Sequence, residues 1–168
     1  TIKYDALSIG AYGNERENKT PAITGTDNVR DAFEGVWYAK YSAGPVSVGY
    51  SKSYLDSGVT GATEAITAAK VVRTAAGIFE STSMSVAFNV NENLSLSYTT
   101  TEDSYDGQSS ITDAQVIADV EKDTKAIQAA YSMGAMSIKA YSMETKNPGY
   151  DSDAATLSVT EIALGLAF

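Results

Sequence analysis

The chain has 168 residues, enough for one domain or one part of a larger assembly, and carries 12 Lys and Arg against 21 Asp and Glu, a formal net charge of −9. Nucleic acid is therefore not expected as a partner, because phosphate binding needs clustered cations. With no Cys and no His, the sequence excludes disulfides, thiolate or imidazole metal sites and His-dependent nucleophiles, so no cofactor, no metal and no enzymatic chemistry are expected.

From the amino end, Tyr4 to Gly13 sets Leu7, Ile9 and Ala11 against Ser8, Gly10 and Tyr12, the period-2 alternation of a strand, and a polar loop follows from Asn14. Thr1 opens directly into strand-like sequence with no initiator Met or signal peptide, so a processed or partial chain is expected. Phe33 to Ser42 puts Phe33, Trp37, Ala39 and Tyr41 on one face, and Glu34, Val36, Tyr38 and Lys40 on the other. Ala43-Gly44-Pro45 reads as a tight turn, and Val46 to Asp56 returns as the second strand of a hairpin. In that strand Lys52 shares the face of Tyr50 and Tyr54. A Lys in such company needs a position at a membrane rim or contact with another subunit.

Residues 57 to 81 suit a long loop with a short helix or a strand extension. Thr82 to Val90 then aligns Met84, Val86, Phe88 and Val90, Asn91-Glu92-Asn93 turns, and Leu94, Leu96 and Tyr98 alternate with Ser95, Ser97 and Thr99. Residues 103 to 120 read as an acidic connection with a helical turn within 114–120. The stretch Glu102 to Gly107 has the oxygen-rich composition of a calcium loop without its alternating ligands, and reads as solvated loop. Thr124 to Ser132 and Met136 to Thr145 flank the turn Met133-Gly134-Ala135, Asn147 to Asp151 is a loop, and Ala154 to Phe168 alternates Ile162, Leu164, Leu166 and Phe168 with Glu161, Ala163, Gly165 and Ala167.

These segments add up to about eight strands, joined alternately by tight turns and long polar loops. Short connections on one rim and long ones on the other describe a transmembrane antiparallel up-and-down β-barrel, an all-β fold in which residues 1–168 form a single segment. Phe33, Trp37, Tyr41, Tyr54, Phe88, Tyr98, Tyr131 and Phe168 lie on the greasy face, where rings serve as membrane-interface aromatics. The opposite face is small and polar, and Tyr38, Lys40, Ser47, Ser51, Ser95, Ser97, Gln128, Lys139, Tyr141 and Glu161 are its candidate pore-lining residues. So many Ser and Gly cannot fill the interior of a closed eight-stranded barrel, which favours a wider barrel of which this chain supplies a part. A stand-alone eight-stranded anchor or adhesin, and a soluble β-sandwich binding module with its greasy faces packed inside, are the other readings.

The phrases VWYAKYSAGPVSVGYSKSYLD, VAFNVNENLSLSYTT and IQAAYSMGAMSIKAYSMETKNPGYDSDA, with the ending TEIALGLAF, resemble the carboxy-terminal half of general-diffusion porins of alphaproteobacteria. The resemblance implies a sixteen-stranded barrel in the bacterial outer membrane, a homotrimer in contact with lipid and lipopolysaccharide, passing small hydrophilic solutes. It also implies that the terminal Phe168 is read by the outer-membrane assembly machinery, and that the pore-narrowing loop belongs to an amino-terminal half absent from this sequence.

Overall fold

A computed structural model describes residues 1–17, 31–56, 58, 65–67, 70–72, 78–106 and 120–167. Its strands are β1 (Ile2–Tyr4), β2 (Leu7–Arg16), β3 (Ala32–Ala43), β4 (Val46–Asp56), β5 (Ala65–Thr67), β6 (Lys70–Val72), β7 (Ile78–Asn89), β8 (Leu94–Asp106), β9 (Val120–Met133), β10 (Met136–Thr145) and β11 (Leu157–Leu166). Nine of them form one sheet in the order β1-β2-β3-β4-β7-β8-β9-β10-β11, every neighbouring pair antiparallel, with β1 and β11 at its two edges. β5 and β6 pair separately. The sheet is an up-and-down meander that is not closed on itself, and eight of its nine strands have ten residues or more.

Several boundaries differ from the alternation reading. The first strand is interrupted: Asp5 takes a φ of 50° and turns the chain so that Tyr4 pairs with Leu7, adding β1 as a short ninth strand. An Asp tolerates this left-handed backbone better than most residues. β7 starts at Ile78, β8 runs to Asp106 and β9 starts at Val120. The strands thus continue well past their apolar stretches, because the ladder hydrogen bonds do not require apolar side chains. Glu102 to Asp106 is accordingly strand and not loop, and its carboxylates alternate between faces, which removes any convergent oxygen cluster. Where residues 57–77 are described outside the main sheet, they contain the β5–β6 hairpin. The helical turn expected within 114–120 lies outside the described residues, apart from Val120, which begins β9.

The two-residue turns share one device: the first loop residue has positive φ, 50° at Asp5, 56° at Gly44 and 58° at Gly134. The four-residue connection between β7 and β8 is held instead by the Asn91 side chain, whose Oδ1 accepts hydrogen bonds from the backbone N–H of Asn93 and Leu94, each at 2.9 Å.

Almost nothing is buried. Among the described residues the buried hydrophobics are Ala32, Tyr105 and Val120, and no second layer covers the sheet. Ile162 is 74% exposed and Leu164 62%. Among the described residues the greasy faces are not packed together as a β-sandwich requires.

A two-faced sheet and its candidate pore-lining surface

Directly paired residues in an antiparallel ladder point to the same side, so the registers assign every side chain to a face. One row reads Leu7, Tyr41, Val48, Val86, Tyr98, Ile127, Ser142 and Thr160 across β2 to β11. Of the 26 exposed large hydrophobics, 21 lie on this face, and Tyr12, Val36, Tyr38, Leu55 and Leu157 lie on the other.

The registers also set the tilt. Leu7 pairs with Tyr41, two residues short of Ala43 at the next tight turn. Val46 pairs with Phe88, two short of Val90, and Leu94 pairs with Tyr131, two short of Met133. Successive turns lie two strands apart, so the stagger is one residue per strand. With a rise of about 3.4 Å per residue and strands about 4.8 Å apart, turns held at one level tilt the strands by about 35°. That is the inclination of membrane-spanning barrel strands.

Counting residues from the turns then gives levels. Two residues up, the apolar face carries Tyr41, Phe88 and Tyr131, a belt of rings at one height, with Ile9, Val48, Leu96, Ile138 and Leu166. Tyr98 is four up and Trp37 six up, so both lie within the apolar band. β8 continues eight residues beyond Tyr98. At the long-loop end Phe33 and Tyr54 meet with ring centroids 6.0 Å apart. On β8 to β11 the height of Tyr54, eight residues up, is taken by Glu102, Lys125, Glu144 and Thr160. Phe168 lies outside the described residues. Lys52 is six residues above its turn and forms an ion pair with Glu80 at 2.9 Å. A neighbouring strand therefore supplies the charge partner, a third solution beside the rim and the subunit contact.

All ten candidate pore-lining residues fall on the opposite face: Tyr38 pairs with Ser51, Ser97 with Gln128, Gln128 with Tyr141 and Tyr141 with Glu161, while Lys40, Ser47, Ser95 and Lys139 continue the same alternation. Hydroxyls pair across it, Ser42 with Ser47 at 2.9 Å and Ser83 with Thr101 at 2.8 Å, and Tyr141 donates to Glu161 at 3.1 Å. Close approach is built in. A Cβ on Gly10 would run into the Tyr38 ring, and one on Gly49 would come within 2.8 Å of Ser85 Oγ. At the third residue above the turns stand Gly10, Gly49, Ala87, Ser97, Ala130 and Gly165, and the two other residues at that level are Lys40 and Lys139.

Toward the long loops the face changes character. Phe79, Tyr105 and Val120 close a small dry patch, and Tyr105 is 1% exposed. Its cover is Tyr150, whose ring centroid lies 5.6 Å from Phe79 and 5.7 Å from Tyr105. Tyr150 belongs to a 3-10 turn, Pro148–Tyr150, in the β10–β11 connection. Beneath it Lys122 lies 4.7 Å from the Tyr150 ring centroid and pairs with Asp103 at 2.8 Å. Asn147 Nδ2 donates to the Glu121 carbonyl at 2.7 Å and anchors the turn. The loop is thus folded over the small-residue face. None of Tyr150, Lys122, Asp103, Phe79 and Tyr105 was among the expected site residues. The available signal was Asn147-Pro148-Gly149-Tyr150, in which Pro starts a turn and Gly149 accommodates a φ of 70°.

No protein-family model, curated protein or solved structure matches this chain. The functional reading therefore rests on the residues and their geometry. Among the described residues no group of three or more His, Cys, Asp or Glu is placed to hold a metal ion, and no helix is long and apolar enough to cross a membrane, which says nothing of a β-barrel.

Proposed function

We propose that the chain is part of an outer-membrane porin, its apolar face toward lipid and its small-residue face toward a water-filled lumen through which small hydrophilic solutes diffuse passively. One observation carries this reading. The apolar band is level with the tight turns and therefore oblique to the hydrogen-bonded rows, as a band must be when a flat slab of hydrocarbon meets strands inclined by about 35°. Support comes also from the ring belt of Tyr41, Phe88 and Tyr131 beside the turns, and from the absence, among the described residues, of a protein layer over the exposed hydrophobics. An isolated soluble sheet has no reason to expose so continuous a greasy surface.

In this reading lipid and lipopolysaccharide cover the apolar face, the barrel closes with strands outside this sequence, and the assembly is a homotrimer that the assembly machinery receives through Phe168. The pore performs no chemistry: size and lining charge decide what passes. Planar-bilayer recording of the full-length protein tests it. Stepwise insertion of ohmic, water-filled channels is the expected outcome, and protein that inserts without conducting would refute the reading.

A further inference from the structure

On the small-residue face the charges are sorted by height. Below Glu161, which sits seven residues above its turn level, the charged residues among those described are Lys40, Lys139 and, on the short edge strand, Lys3. The tight turns themselves carry Asp5 and Glu92. Lys40 and Lys139 stand at one level, three residues or about 8 Å above the turns, and every other side chain there is Gly, Ala or Ser. A long cationic side chain rising from so low a floor reaches further into the lumen than anything beside it.

Neither ammonium has a carboxylate within ion-pair distance among the described residues, whereas Lys52 and Lys122 each do. On its own strand and face, the nearest carboxylate to Lys40 is Glu34, six residues away or about 20 Å along β3. Lys139 has Glu161 as a diagonal neighbour on the adjacent strand, two residues from its partner Ala163, and that carboxylate accepts a hydrogen bond from Tyr141. Beside Lys40 runs a groove of about 470 Å³, with Ser47, Gly49, Ser51 and Ser85 along its floor and Tyr38 and Lys40 along its wall.

Resting on the porin reading, we infer that this level is an anion-selecting belt and that the groove at Lys40 is a subsite for small hydroxylated or hydrated anions such as carboxylates and inorganic phosphate. The ammonium attracts the charge, the serine hydroxyls replace part of its hydration shell, and the small floor leaves room for the rest. The overall charge of −9 is no obstacle, because these two lysines are set well apart from most of the acidic residues.

The test is the reversal potential of the full-length channel in a KCl gradient centred near 0.1 M, for wild type, Lys40→Gln, Lys139→Gln and the double variant. The double variant is expected to lower the chloride-to-potassium permeability ratio by about twofold or more, with Lys40→Gln giving the larger single effect. The shift fades near 1 M salt, where screening acts within about 3 Å. Inorganic phosphate added at millimolar level reduces chloride current through wild type and not through Lys40→Gln. Lys125→Gln, on the apolar face, leaves the ratio unchanged. A double variant with the wild-type ratio at 0.1 M overturns the inference while leaving the porin reading intact, whereas wild-type protein that forms no channel overturns that reading itself.

Discussion

Trp37 is the one tryptophan of the chain, lies on the apolar face six residues above its turn, and packs on Tyr50 with ring centroids 5.1 Å apart. Its fluorescence reports directly on what covers that face. In vesicles whose acyl chains carry bromine, the emission of the full-length protein is expected to be strongly quenched. Soluble quenchers such as iodide should have little effect. The opposite pattern would place Trp37 in water and reverse the two faces. The face of Trp37 was legible in the sequence, because alternation over ten residues leaves little freedom. The ion pair of Lys52 with Glu80 was not, because their contact depends on how β4 pairs with β7, across 28 positions of chain.

At the scale of elements, the β10–β11 connection has a physical anchor. Tyr105 is enclosed by Phe79 and Tyr150, so Tyr105→Ala leaves a cavity and is expected to cost about 3 kcal/mol in the urea unfolding of the folded protein in detergent. Tyr150→Ala removes the cover from the other side. The expected readout is faster trypsin cleavage after Lys146 with the rest of the sheet still folded. Unchanged cleavage would show that Asn147 and its bond to the Glu121 carbonyl suffice. The strands were readable wherever apolar and polar residues alternate. Their outer ends were not, since Glu102 to Asp106 looks like loop and forms ladder bonds all the same. The 3-10 turn was hidden for a related reason. Its contacts with β7 and β8 join residues far apart in the chain, and local pattern carries no trace of them.

At the scale of the whole molecule, the open edges of β1 and β11 pose the question of closure. If the chain closed on itself, β11 would meet β1 or β2, and eight long strands would have to fill their interior with a level made mostly of Gly, Ala and Ser. Because the chain has no Cys, a disulfide reporter is clean: Ile9→Cys with Ile162→Cys is expected not to cross-link under mild oxidation in the full-length protein. Efficient cross-linking within one chain would favour the small stand-alone barrel. A two-faced sheet was legible in the sequence, since the alternating pattern and the contrast of short and long connections both persist through the register. That the sheet does not close on itself was hinted at in the sequence only by the shortage of bulky residues on one face.

The constant offset between neighbouring hairpins makes each of them a vernier for the next. Lengthening one strand of a ladder by two residues would leave its hydrogen bonds intact and yet displace everything downstream by one step against the lipid. A slip between β8 and β9 would carry Lys139 toward the depth of the lower rings and lift Met133 and Met136 away from the rim. Within the protein such a mistake is resisted only where side chains meet across β8 and β9, as Asp103 and Lys122 do; on the porin reading hydrocarbon thickness penalises it as well, and the bilayer takes part in specifying which strand residues face one another.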